Sequence, residues 1–285
     1  MIADARCASR SATFRVRTVL ALPRKARLTI AVLVALLAAC GFFLAAVPAA
    51  RATTRSVALF DQSHGQRFLA GNTGPLDLSS FVKVLGDQGL EVKTTSEPIT
   101  AQLLAHVDVL IISGAFKPLS ASEVEATTRF IERGGRLAVM LHIGPPVADL
   151  LHRLHTSISN GVICEQENII GDACSNFRVT RLKPHELTKG LKEFSIYGGW
   201  ALLNTAANAS IVAETSPRAW IDLNADGKLG AGDAVQSFGV IVTGQLGHGR
   251  FVVFGDDAVF QNQFVKEGNL LLAHNLGVWL AQRSV

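Results

Sequence analysis

Residues 28–50 run without a single charged side chain, and this run separates a short leader from the rest of the 285-residue chain. A basic stretch ending at Arg27 precedes it, Pro48 interrupts it late, and Ala50 and Ala52 place small residues just beyond. Basic, then apolar, then small is the order of a cleaved secretory signal. About 20 apolar residues also suffice to cross a bilayer as a retained transmembrane helix, with the basic side left in the cytoplasm. A third reading takes Leu37, Ala38, Ala39 and Cys40 as a lipobox that would acylate Cys40. All three export residues 53–285 to the periplasmic or extracellular side of the cell envelope, either secreted or held at the membrane through the leader. A buried core helix fits poorly, because no face of the run is polar.

The leader also explains the charge. Of 27 basic and 23 acidic residues, residues 1–52 hold eight and one, which leaves the remainder 19 against 22. The part that folds is therefore slightly acidic, and the nucleic-acid role that a basic whole chain would suggest loses its footing. Two of the four cysteines, Cys7 and Cys40, belong to the leader. Cys164 and Cys174 remain, ten apart in a polar stretch, and outside the cytoplasm such a pair is expected to close a disulfide.

Roughly 230 residues are enough for one domain with a sizeable core. Residues 56–60 read as a strand entering the polar loop of Asp61, Ser63, His64 and Gly65. Residues 77–88 space Leu78, Phe81, Val82 and Leu85 as a helix face, and Gly89 stops it. Strands are expected at 90–94, 107–112 and 136–141, the last delivering His142. Between them Ser120 with Glu123 forms a capping box for a helix over 121–133. The order loosens over 155–200. Strands return at 211–214, 219–222, 238–244 and 250–254, and a final helix is expected over 263–282. Strands alternating with helices indicate an α/β fold, a mostly parallel sheet flanked by helices, with ligands beyond the carboxyl ends of its strands.

Residues 222–233 place Asp222, Asn224, Asp226 and Asp233 at positions 1, 3, 5 and 12, with Gly227 at position 6. This is the ligand order of an EF-hand-type calcium loop, in which Lys228 gives its carbonyl. Asp233 stands where a longer glutamate is usual, which weakens coordination. Apolar strands flank the loop, so Ca2+ would staple a hairpin in a structural role. The plain alternative is a turn built on Asp226 and Gly227.

The elements and their turns resemble the class I glutamine amidotransferase-like superfamily. Within it they resemble a family of domains of unknown function, DUF4350, and more distantly the trehalose-utilisation-type and gliding-motility transporter-associated domains. The resemblance spans residues 56–282. It is carried by Phe60, Asp61, Ser63, His64 and Gly65, by Gly134 and Gly135, by residues 185–191, and by Gly247, Gly249 and Arg250. Phe254, Gly255, Asp256, Gly268, Asn269, Asn275 and Trp279 complete it. It implies a three-layer, flavodoxin-like fold. It also implies a catalytic cysteine on a strand-end elbow, but His142 stands at that place, and the late catalytic histidine is replaced around Asp256 and Asp257. Glutamine hydrolysis is therefore not expected.

The candidate site gathers Asp61, His64, His142 and Asp256 as catalytic or metal-binding candidates, with Ser113, His142, His185 and Asp257 as ligand contacts. Two imidazoles and two carboxylates suit a metal or acid–base work; equally, they suit loop caps and hydrogen bonds in a retired cleft. His248 reads as a solvent-facing hairpin residue, and Trp200, Trp220 and Trp279 as core. The leading expectation is a non-catalytic, calcium-stapled module binding a small ligand or, by family analogy alone, an envelope or transporter protein. The competing one is a metal-assisted hydrolase of a carbohydrate or amide.

Overall fold

A computed structural model describes residues 55–224 and 226–282. The leader expectations at residues 1–52 lie outside the described residues. Among those described, no helix is long and apolar enough to cross a membrane. The described residues make up one compact unit.

Its strands in chain order are β1 (Ser56–Asp61), β2 (Leu90–Thr95), β3 (Val109–Ser113), β4 (Arg136–Met140), β5 (Thr156–Cys164), β6 (Asn176–Val179) and β7 (Arg181–Leu182). Then follow β8 (Phe194–Tyr197), β9 (Trp200–Asn204), β10 (Ala209–Glu214), β11 (Trp220–Ile221), β12 (Ala234–Val235), β13 (Gly239–Leu246) and β14 (Gly249–Phe254). The α-helices are α1 (Ser79–Asp87), α2 (Ala121–Glu132), α3 (Ala148–Arg153) and α4 (Glu267–Ala281).

Five strands, in the order β2-β1-β3-β4-β14, lie parallel. β3 and β4 are buried at every position, as continuous apolar strands must be when helices cover both faces. Alternation then divides their side chains. Val109, Ile111, Met140 and Phe254 face the layer that holds Phe81 of α1 and Leu276 of α4. Leu110, Ile112, Val139 and Phe251 face Phe130 of α2 and Leu150 of α3.

The sheet departs from expectation beyond β14. β13 returns antiparallel to β14, and β9, β5, β11 and β12 extend it antiparallel, so the sheet is mixed and not mostly parallel. The stretch read as loose, 155–200, supplies β5 to β8. These strands are short or half exposed and pair with distant partners, and β5 carries an irregular register against β9 between Ile158 and Val162. They leave little periodic signal in the sequence. Cys164, at the end of β5, is disulfide-bonded to Cys174; closing so short a loop contributes about 2–3 kcal/mol. The capping box of α2 forms as read, with Glu123 N–H donating to Ser120 Oγ and Ser120 N–H donating to Glu123 Oε2.

The amino edge of the parallel block is fastened to the end of α4. Arg136, which opens β4, donates to the carbonyls of Leu280 and Gln282, and Arg250 of β14 donates to those of Trp279 and Gln282. Arg250 also lies 4.2 Å over the Trp279 ring. The last turn of a helix has carbonyls without intrahelical partners and a partial negative charge, and two guanidiniums answer both needs.

Candidate functional site

β1 ends in Asp61, whose carboxylate is almost fully withdrawn from solvent. One oxygen accepts from Ser63 N–H at 3.0 Å and Ser63 Oγ at 2.6 Å; the other accepts from Gln66 Nε2 at 2.6 Å and faces His64 Nδ1 at 2.7 Å. His64 is buried too, and its Nε2 lies 3.2 Å from Glu123 Oε1. That oxygen also accepts from Ile99 N–H at 3.0 Å. Each ring nitrogen of His64 therefore faces a carboxylate, which only the imidazolium satisfies by donating from both.

Burial alone would depress His64, but the hydrogen bond and charge of Asp61, with Glu123 behind, hold it above the ordinary value. Burial would raise Asp61 and Glu123, and their hydrogen bonds, chiefly from His64 and Ser63 to Asp61 and from Ser120 to Glu123, bring both below the carboxylate norm. The trio joins the end of β1 to the start of α2. Its donors and acceptors are consumed internally, so Asp61 and His64, expected as catalytic candidates, serve as a buried clamp.

A second pair stands at the ends of β4 and β14. His142 follows β4, and its Nδ1 lies 3.1 Å from Asp257 Oδ1. The His142 side chain is 37% exposed and that of Asp257 1%, so the imidazole is the outward end of the pair. Phe68 and Phe116 flank the ring at centroid distances of 5.2 and 5.0 Å. Arg67 sits 4.7 Å over Phe116, and the indole of Trp200 donates to the His142 carbonyl at 3.1 Å. Asp257 Oδ2 is buried without a hydrogen-bond partner. It lies against Gly114, where a Cβ would fall 2.5 Å away and where φ is +62°. Asp257 raises His142 above the ordinary histidine value, against a lesser opposing effect of burial; burial keeps Asp257 itself above the carboxylate norm.

Asp256 turns away from this pair. Its oxygens accept from Tyr197 N–H at 2.7 Å and Ala258 N–H at 2.9 Å. Those bonds favour the carboxylate, yet full burial and then the neighbouring Asp257 outweigh them and push it up to about 8. Asp256 thus fastens β8 to the turn after β14. The four expected residues separate into the buried Asp61–His64 pair, His142 with a different partner in Asp257, and a structural Asp256. Among the described residues no group of three or more His, Cys, Asp or Glu side chains is placed to hold a metal ion.

Ser113 is buried at the end of β3, beside Gly114. His185, expected as a ligand contact, instead caps the turn at 186–188, accepting from Leu187 N–H at 3.1 Å. Burial lowers it, with Arg250 adding to that effect, and Arg250 belongs to the opposite edge of the parallel strands. Residues 222–233 form the β11–β12 hairpin loop as expected. Its carboxylates accept from backbone: Asp222 from Gly227 N–H, Asp226 from Lys228 N–H, and Asp233 from Leu223 and Gly230 N–H. This is the hydrogen-bonding of a turn. His248 is exposed, while Trp220 and Trp279 are buried. Sequence reading missed Phe68, Phe116 and Arg67, whose only signal was their place in loops after β1 and β3.

A profile of the family described as "Domain of unknown function (DUF4350)" matches residues 70–276. No curated protein matches the chain. Among solved structures, the mmIFT52 N-terminal domain superposes with a TM-score of 0.64 at 20% identity, over 80% of this chain and 98% of its own. The cytoplasmic protein STM1381 from Salmonella typhimurium LT2 gives 0.50 at 13%, over 79% and 97%. A putative thua-like protein from Bacteroides uniformis ATCC 8492 gives 0.45 at 14%, over 82% and 95%. At such identities the similarity to the first two is one of fold.

The clamp has a pH signature. The contribution of His64 is complete below the unfolded histidine value of about 6.5 and is lost as pH rises through its raised folded value. Those of Asp61 and Glu123 are present above about 4 and lost as pH falls through their lowered values. His64→Gln should therefore lower thermal stability most near pH 5–6, by about 3–5 kcal/mol for a broken buried ion pair, and less at alkaline pH. Thermal melts of both proteins from pH 4 to 9 check this, and a difference that does not vary with pH contradicts it.

Proposed function

We propose, from the premise that this chain belongs to the DUF4350 family, that it is an amidotransferase-like module of the cell envelope that has exchanged a nucleophile for a ligand-contacting imidazole. The order β2-β1-β3-β4-β14 is that of flavodoxin-like sheets, in which ligands settle beyond the carboxyl ends of the strands. The observation that carries the reading is His142: a half-exposed ring at a strand end, oriented by a buried carboxylate and walled by two phenylalanines. Such an arrangement holds the ring in one orientation, with Nδ1 turned to Asp257, the preparation expected of a binding group.

Among the described residues nothing beside it supplies a nucleophile of the thiol kind. Cys164 and Cys174 are bonded to each other, and Cys7 and Cys40 precede the domain. Export fits the disulfide, which persists in oxidising compartments. An envelope or transporter protein as partner rests on family analogy.

Calcium binding by residues 222–233 is proposed on the order of oxygen-bearing side chains alone, and its role would be structural. With a dissociation constant of roughly 0.1–1 mM, 10 mM Ca2+ should stabilise the protein by about 1.4–2.7 kcal/mol. Asp226→Ala should abolish that response, and melting temperatures that ignore both Ca2+ and chelator leave the loop an ordinary turn.

The binding site itself is tested by a small-fragment screen against the full chain in detergent, followed by nuclear magnetic resonance. Fragments that bind should perturb Phe68, Phe116 and His142 together. Hits confined to other surfaces would remove the proposal.

A further inference from the structure

We propose that the His142 site is an anion site, taking a ligand that joins a carboxylate to a planar apolar body; this rests on the binding role assigned above. Cations stand near the His142 ring without acids to match them at the surface. His142 Nδ1 is turned inward to Asp257, so Nε2 points to the opposite side, with no protein partner among the described residues. Arg67, over the Phe116 ring, and Lys117, the next residue, are both exposed and make no ion pair among the described residues.

The neighbouring acids do not offset these cations at the surface. Asp61 is consumed by His64, Ser63 and Gln66; Glu123 by His64, Ser120 and Ile99; Asp256 by the Tyr197 and Ala258 backbone. Asp257 is buried beneath the ring, and its Oδ2 has no donor. A desolvated carboxylate with one bare oxygen needs a cation in contact, and His142 is the group that provides it. The imidazolium then donates outward from Nε2, where an incoming carboxylate oxygen accepts.

The walls define the rest of the ligand. Phe68 meets His142 at an interplanar angle of 65° and Phe116 at 38°, two apolar surfaces beside the donor. A flat apolar body covers such surfaces, while the carboxylate meets His142 and the Arg67 guanidinium. An acidic head on a flexible polar body would leave the rings uncovered. Binding should weaken as pH rises past the raised value of His142. The groups that act on that ring are Asp257 and Asp256 from the turn after β14 and Arg67 from the loop after β1, and Asp256, pushed up to about 8, ionises over the same range and adds to the loss.

The test uses the full chain in detergent with benzoate as probe and benzamide as its neutral counterpart, followed by titration calorimetry and by chemical-shift mapping at His142. Benzoate should bind at pH 6 with the shifts at His142 and Phe116, at least tenfold more tightly than benzamide, and about tenfold more weakly at pH 9. Arg67→Gln, an exposed change that leaves the core intact, should weaken benzoate several-fold and benzamide much less; His142→Gln should abolish the preference. Equal binding of the two probes at this site overturns the anion proposal and leaves the binding role standing. Failure of both probes and of every fragment at this site overturns both.

Discussion

A carboxylate shut away from water must be neutralised from within the fold, and this chain does so twice with histidine. Asp61 ends β1 and Asp257 follows β14, on either side of the two central strands β3 and β4. Each would be costly if left alone at its depth. His64 answers the first and is itself buried; His142 answers the second and reaches the surface. The same chemistry thus yields a clamp in one place and a presented group in the other. The difference lies in what meets the second nitrogen: Glu123 for His64, and no partner among the described residues for His142.

The fold keeps these tasks apart by using the two ends of one parallel block. At the amino edge, Arg136 and Arg250 hold the last turn of α4 through its carbonyls, and Trp279 packs under the second guanidinium. At the carboxyl edge, α2 is held by its own capping box, and the same glutamate extends to His64. A mobile loop after β1 would let Phe68 and Arg67 drift; the Asp61 network ties that loop down at Ser63, His64 and Gln66. Presentation of His142 therefore rests on the clamp as well as on Asp257.

The sequence displayed the parallel half of the molecule well, because buried strands carry unbroken apolar runs such as 109–112 and α2 announces itself with Ser120 and Glu123. It concealed the antiparallel half. Strands such as Arg181–Leu182 and Trp220–Ile221 are two residues long and take their identity from partners far away in the chain. The candidate site was legible in its acids and imidazoles and illegible in their pairing. Strand-end arithmetic put Asp61, His64, His142 and Asp256 at one edge but could not foresee that Asp256 points at backbone N–H groups while Asp257 takes His142. Adjacent residues of a turn diverge in direction, and composition carries no trace of that. His185 was misplaced for a related reason: loop residues have no register to fix which edge they reach.

The account turns on Asp257 holding His142 as the imidazolium. Titration of the His142 ring by nuclear magnetic resonance, in the unaltered protein and in Asp257→Asn, measures this directly. The account predicts an inflection above the ordinary value of about 6.5 that falls when the carboxylate is removed. An inflection at or below that value in the unaltered protein, or one that Asp257→Asn leaves in place, contradicts it.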